Sequence, residues 1–210
     1  MTRRICAALC VANFVLSAML IDPASAQTAR EWDQCVGREG PTPDVVIQGC
    51  TAVIQAGQDT PTRLAAAFNN RGVAYRYKGE NDRALQDINQ AIRLNPNAAN
   101  HYNNRGIIYR MKGEYDRAIN DYDEAIWLKN DYPAAFYNRA ITYTEKGEYD
   151  KALSDFEIVL GFDAKNAFAL YGRGMARLKM GETEAASADI AAAKAIHPNI
   201  AEEFEPASMR

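Results

Sequence analysis

From residue 65 to residue 200, apolar, small and polar residues recur along this chain with a period of 34. In the first three periods, positions four and eleven are aromatic: Phe68 and Tyr75, Tyr102 and Tyr109, Phe136 and Tyr143. They bracket a small residue at position eight, which across the four periods is Gly72, Gly106, Ala140 and Gly174. The spacing puts all three positions on one helical face, so the first half of each period is predicted to be an amphipathic helix. A Gly at position fifteen (Gly79, Gly113, Gly147, Gly181) follows a Lys in three periods. It suits the left-handed residue that closes a helix, with the Lys near the negative end of the helix dipole. A second amphipathic stretch follows, as in Tyr115, Ala118, Ile119, Tyr122, Ala125 and Ile126, and it closes at Pro96 and Pro198 in the first and last periods. Small residues at eight and twenty (Ala84, Ala118, Ala152, Ala186) let the two helices approach, while large ones at four, eleven and twenty-four fill the space around them.

Four in-phase copies of a 34-residue helix pair resemble the tetratricopeptide repeat. The units run 65–98, 99–132, 133–166 and 167–200, covering 136 of 210 residues. The resemblance implies an all-α, right-handed α-solenoid of antiparallel helix pairs. Departures are local: Asn130 and Ala164 replace the closing Pro in the second and third units, and the fourth carries Arg177 where the others have Tyr. Asp44 to Ile54 overlays Asp116 to Ile126 and places Cys50 at the position of Tyr122, so 27–64 reads as a degenerate N-terminal helix pair. Beyond the fourth unit, Ile200, Ala201 and Phe204 alternate with Glu202, Glu203 and Glu205. This gives a short capping helix, with 201–210 as the C-terminal cap expected to cover the fourth unit's second helix. Repeat arrays expose an apolar face at each end and need such caps.

The first 26 residues follow a different logic. Arg3 and Arg4 precede an apolar stretch from Ile5 to Leu20, then Asp22, Pro23 and the small residues Ala24, Ser25 and Ala26. That order is a signal peptide, with the mature chain of 184 residues starting at Gln27 and located in the periplasm or secreted. The other reading, an uncleaved anchor, meets a stretch of sixteen residues interrupted by Asn13, short of the roughly 20 needed to span a bilayer. No stable membrane insertion is therefore expected after cleavage. Cys6 and Cys10 leave with the leader, so Cys35 and Cys50 remain as an even pair in an oxidising compartment and are expected to be bonded. Two buried free thiols are the alternative.

Arg stands at position seven of every unit (Arg71, Arg105, Arg139, Arg173) and Asp at position twenty-three (Asp87, Asp121, Asp155, Asp189). In an antiparallel pair that turns near fifteen, these positions lie opposite, which predicts a ladder of structural ion pairs within units or between them. A row of arginines for anionic ligands is the competing reading. Asn70, Asn104 and Asn138, just before the Arg in three units, are expected to satisfy backbone groups between helices.

What the resemblance implies for function is a concave groove lined by the first helices, at positions two, five, nine, twelve and thirteen. The residues there include Asn69, Val73, Arg76, Asn103, Ile107 and Arg110 in a polar, basic half. Tyr137, Ile141, Phe168, Tyr171 and Met175 form an apolar, aromatic half. A peptide or protein segment with an acidic end and an apolar end would fit. The family's two-carboxylate clamp is not reproduced, because its positions hold Asn69, Val73, Ala134 and Asn138.

Enzymatic readings find little support, and neither cofactor nor metal is called for. The two histidines, His101 and His197, lie almost three units apart, and His101 reads as a helix-surface residue. The Glu114, Tyr115, Asp116 and Glu148, Tyr149, Asp150 clusters fall in turns, where Asp is expected to cap the second helix. Removing Arg3 and Arg4 from 24 basic residues and Asp22 from 27 acidic ones leaves 22 against 26, a net charge of −4, so nucleic acid is not an expected partner. The expected function is a non-enzymatic adaptor for a protein or peptide. Its alternative is a self-associating envelope component, with a homodimer as the minimal form.

Overall fold

A computed structural model describes residues 23–38, 40, 42–57 and 59–204. The basic and apolar parts of the expected leader, together with Glu205, lie outside the described residues. Eleven helices follow one another among the described residues: α1 Pro23–Val36, α2 Pro43–Ala56, α3 Pro61–Tyr77, α4 Asn81–Leu94, α5 Ala99–Met111, α6 Tyr115–Leu128, α7 Pro133–Lys146, α8 Tyr149–Phe162, α9 Ala167–Met180, α10 Thr183–Ile196 and α11 Ile200–Glu203. They pair as α1/α2, α3/α4, α5/α6, α7/α8 and α9/α10, and each pair packs on the next to build a right-handed α-solenoid.

Local sequence explains where these helices begin and end. Pro43, Pro61 and Pro133 stand in the first turn, where a missing N–H costs nothing. The Thr60 hydroxyl accepts from the Arg63 amide, and the Asn166 side chain accepts from that of Ala169. At the other end of α3, Gly79 has φ 75°, its N–H donates to the Arg76 carbonyl, and the Glu80 N–H donates to that of Tyr75. The same two bonds recur around Gly113, Gly147 and Gly181, so each first helix closes in one left-handed motif that reverses the chain. Position fifteen is glycine for that reason.

The second helices start differently from expectation. Glu80, Glu114, Glu148 and Glu182 occupy the caps without a side-chain cap bond. The aspartates of the first turn face the neighbouring unit instead. Lys112 Nζ reaches Asp82 at 2.8 Å and Lys146 Nζ reaches Asp116 at 2.8 Å, with Lys78 on Asp44 at 2.5 Å at the start of the series. A first-turn carboxylate still favours the helix dipole there, while its charge is matched by a cation one unit ahead. Such exposed pairs set register more than they add stability.

Position twenty-four supplies the largest side chains of the core. Ile88, Tyr122 and Phe156 are fully buried. Gly106 leaves room for the Tyr122 ring, since a Cβ there would lie 2.6 Å from it. In the third unit the small residue is Ala140, and the Phe156 ring is seated against Gly172 of the following unit.

Cys35 and Cys50 form a disulfide between α1 and α2, with Cα atoms 4.5 Å apart and both residues buried beside Val53 and Ala67. The Asn70 side chain donates to the Cys35 carbonyl, tying the stapled pair to α3. Replacing both cysteines with Ser is expected to lower stability by about 3 kcal/mol for a loop of this length. A urea titration followed by circular dichroism reads the loss, and an unchanged midpoint would show that the staple contributes nothing. At the far end, Ile200 of α11 is buried against Ala167, Leu170 and Ala193, so the cap lies across both α9 and α10 rather than on α10 alone.

His101 is not on the helix surface. It is 3 % exposed, its ring lies close to the Asn95 backbone, and Nδ1 is buried without a partner. Burial holds its pKa below the ordinary imidazole value. The unfolded chain then takes up this proton more readily than the folded one. Stability from this site is present above an unfolded pKa of about 6.5 and is lost as pH falls through the folded value. Urea midpoints at pH 7.5 and 5.5 should therefore drop further for the natural chain than for His101→Gln; equal drops would contradict the assignment.

Candidate functional site

Curvature decides which helices can form a groove. The first helices α3, α5, α7 and α9 touch their successors directly, a contact that the second helices do not match, so the first helices line the inner, concave side.

Two hydrogen-bonded series run beneath this surface. In the outer seam, the Nε and Nη2 groups of Arg71, Arg105, Arg139 and Arg173 donate to the two carboxylate oxygens of Asp87, Asp121, Asp155 and Asp189, all at 2.7–2.9 Å. The pairing is within each unit. The remaining Nη1 reaches back to the preceding unit, donating to Thr51 Oγ1 from Arg71, to Asn89 Oδ1 from Arg105 and to Asp123 Oδ1 from Arg139. One guanidinium thus joins three helices, which a Lys ammonium could not do with the same planar fork. In the fourth unit Arg177 adds a second bond to Asp189. All four aspartates are buried, and desolvation pushes the Asp121 and Asp155 carboxyls above the ordinary value against the pull of their arginines. With every guanidinium already holding a carboxylate, this row has no free face for an anionic ligand.

The second series is amide to amide. Asn104 Nδ2 donates to Asn69 Oδ1 and Asn138 Nδ2 donates to Asn103 Oδ1, each at 2.9 Å across a repeat boundary. This corrects two expectations. Asn104 and Asn138 bond side chains rather than backbone, and Asn69 and Asn103, only 4 % and 5 % exposed, are joints between first helices, Asn69 also lining a cavity beside α3. Close approach of α3 to α5 and of α5 to α7 is the cause.

The rest of the anticipated groove divides by exposure. Arg110 Nη1 donates to Glu145 Oε1 at 2.7 Å, so its charge is matched within the chain. Tyr137 packs edge-on against Phe156, and burial pushes its phenol up to about 12. Tyr171 is covered by Phe204 at 4.8 Å between ring centroids, and Phe168 meets the His197 ring at 5.8 Å. The cap therefore takes up part of the apolar half, with Phe204 against one side of the half-buried Tyr171 ring. Val73, Ile107, Ile141 and Met175 remain half-buried along the inner helices, with Ile107 and Ile141 packed on core clusters.

Exposed apolar side chains at the ends of the first helices complete the face: Tyr77, Met111, Leu178 and Met180. Tyr77 and Met111 share position thirteen and Leu178 holds position twelve, so the repeat register carried their signal. At the α3 end a cavity of about 440 Å³ opens between the stapled pair and the first unit, lined by Cys35, Val46, Val73, Arg76, Tyr77 and Asn104. Trp127, 77 % exposed on α6, lies on the opposite side of the array beside Arg139, Tyr143 and Lys151. Nothing in the inward-facing register pointed to it. Among the described residues no group of three His, Cys, Asp or Glu gathers in a metal-binding arrangement, and no helix is long and apolar enough to cross a membrane.

Sequence profiles of the tetratricopeptide repeat match residues 69–133 and 133–166. Among curated proteins, none matches the sequence. Among solved structures, the chain is similar to a MamA protein, with 23 % identity over 86 % of this chain and 96 % of that one and a TM-score of 0.66. A MamA fragment from Desulfovibrio magneticus RS-1 gives 12 % identity, 85 % and 97 % coverage and a TM-score of 0.70. A tetratricopeptide repeat protein from Parabacteroides merdae ATCC 43184 gives 20 % identity, 88 % and 75 % coverage and a TM-score of 0.66. At these identities the likeness is one of fold. The 34-residue period, the stacked helix pairs and the profile matches agree, and the chain is a tetratricopeptide-repeat protein.

Proposed function

We propose that this protein is a non-enzymatic scaffold that holds a peptide segment of a partner protein along the concave face of its first helices, in the periplasm after removal of an N-terminal signal. The observation that carries the reading is the row of apolar side chains left exposed on the inner helices, Tyr77, Met111 and Leu178. Exposed aromatic and thioether side chains on rigid helices supply contact area at low entropic cost. The fold supports the scaffold role in general. Removal of the leader would leave both cysteines of the stapled pair in a compartment where their bond persists.

The test is affinity capture from the exported fraction of the native cell. The chain from Gln27 is compared with its Met111→Ser, Leu178→Ser variant, and bound proteins are identified by mass spectrometry. A partner retained by the natural chain and lost by the variant is expected. Equal capture by both would remove the concave face from the reading. Self-association is the second reading, favoured by Trp127 on α6 and by Ile158 and Phe162 on α8, which stay exposed on the second helices. Sedimentation that shifts to a dimer with concentration, and that Trp127→Ser abolishes, would select it.

A further inference from the structure

The structure assigns Arg76 as the anchor for a carboxylate on the bound segment, an inference that rests on the concave-face reading and specifies the chemistry of its ligand. Two first helices end with an Arg at position twelve, Arg76 on α3 and Arg110 on α5. Their ion pairing differs. Ahead of Arg110, position thirteen of the next unit is Glu145, and the two form a half-buried ion pair at 2.7 Å. Ahead of Arg76 the same position is Met111, which brings no charge. Arg76 forms no ion pair among the described residues, and its Nε, like that of Arg110, is buried without a hydrogen-bond partner. Its guanidinium lies over the Tyr77 ring at 4.3 Å, which orients the planar group at the edge of the 440 Å³ cavity.

The Arg110–Glu145 pair therefore shows, within this chain, what an arginine at this place in the array accepts. A ligand carboxylate seated between Arg76 and Met111 would occupy the place that Glu145 takes one unit further on. It would be hydrogen-bonded by a preoriented guanidinium, and such charge-assisted bonds are about twice as strong as neutral ones. The neighbours on either side are Tyr77, 70 % exposed, and Met111, 38 % exposed, with Val73 and Val46 lining the cavity floor. The partner chemistry that fits is an acidic residue next to a large apolar one. The cavity wall formed by Cys35 and Val46 belongs to the disulfide-stapled pair, so the site exists only where that pair is docked on α3.

The probe is an array of synthetic hexapeptides with terminal blocking groups, each containing Asp or Glu beside Leu or Phe, and each matched by an isosteric Asn or Gln peptide. Binding is measured by fluorescence polarisation for the chain from Gln27, for Arg76→Gln and for Met111→Glu. Met111→Glu places a carboxylate where Glu145 stands relative to Arg110. For the natural chain, acidic members are expected to bind about tenfold more tightly than their amide partners, the equivalent of about 1.4 kcal/mol. Both variants should erase that preference while keeping the helical spectrum, and Met111→Glu, which also removes an apolar contact, should weaken acidic and amide members alike. If acidic and amide peptides bind the natural chain equally, the Arg76 anchor is wrong while the groove reading stands. If the preference survives in Arg76→Gln, the carboxylate binds elsewhere and the assignment is overturned. If no peptide of either kind binds at millimolar concentration, both readings fall together.

Discussion

Replacing Arg105 with Ala should cost about 3–5 kcal/mol of stability at neutral pH, far more than the loss of a surface ion pair. Asp121 is 5 % exposed, and both of its carboxylate oxygens are held by Arg105 at 2.7 and 2.8 Å. Removing the guanidinium leaves a buried anion with no cation to compensate it. The third arginine nitrogen also links α5 to Asn89 of α4, so the joint between two units loses a bond at the same moment. The pH dependence gives the mechanism away. Burial already raises the Asp121 carboxyl, and without Arg105 it rises further, so the folded variant holds that proton more tightly than the unfolded chain. Stability is then lost as pH rises from the unfolded value of about 4 through the folded one. The deficit should shrink when urea titrations are repeated near pH 4. Arg105→Met combined with Asp121→Leu should recover most of the loss, because neither a buried charge nor a void remains. A loss below 1 kcal/mol, or one indifferent to pH, would mean that the pair is effectively solvated.

Phe156→Ala should cost a similar 3–5 kcal/mol and should also change how the array unfolds. The ring is fully buried among Phe136, Ala140, Ala152, Val159 and Ala169, and Tyr137 meets its edge at 6.1 Å between centroids. It also closes the joint to the fourth unit, where a Cβ on Gly172 would sit 2.5 Å from it. Alanine leaves a cavity at the boundary between α8 and α9 that the flanking backbone cannot fill. In a quasi-one-dimensional array, stability is a sum of unit and nearest-neighbour terms, so cutting one neighbour term uncouples the segments on either side. The expected result is a separate early transition for α9 to α11 in denaturant, with limited proteolysis cleaving near residues 163–166 first. Phe156→Leu, which keeps most of the volume, should retain a single transition at a cost of about 1.5 kcal/mol or less. A single unshifted transition for Phe156→Ala would show that the joint is held by other contacts.

The fold was legible before any coordinate because a repeated sequence states the same local physics several times. Gly79, Gly113, Gly147 and Gly181 each mark a left-handed turn after an apolar 3.6-residue pattern, and that combination has one structural solution at each occurrence. Large residues at position twenty-four opposite small ones at eight say that two helices meet closely, whichever unit is considered. Positions seven and twenty-three could be placed opposite each other by counting from the turn, because an antiparallel pair leaves no other register.

The candidate site was only partly legible, and the reason is specific. Position in a unit says which way a side chain leaves its helix, but not what the next unit brings to meet it. Asn69 and Asn103 leave toward the concave side, yet Asn104 and Asn138 of the following helices reach them and bury them. Arg110 and Arg76 are equivalent in sequence register, and only the packing of α7 on α5 shows that Arg110 is paired with Glu145. Tyr171 belongs to the inner face until Phe204 folds back over it. His101 lies near the start of a helix, where exposure is the ordinary expectation, and is buried by its contact with the preceding turn. Sequence alone determined the helix pairs, their turns and which Arg and Asp residues form the ladder, since those depend on residues at most a few turns of helix apart, while the structure decided that each pair closes within its unit. Tertiary structure decided which inward-facing side chains are used up between units and which remain for a partner, because exposure is set by the neighbour that packs and not by the residue itself.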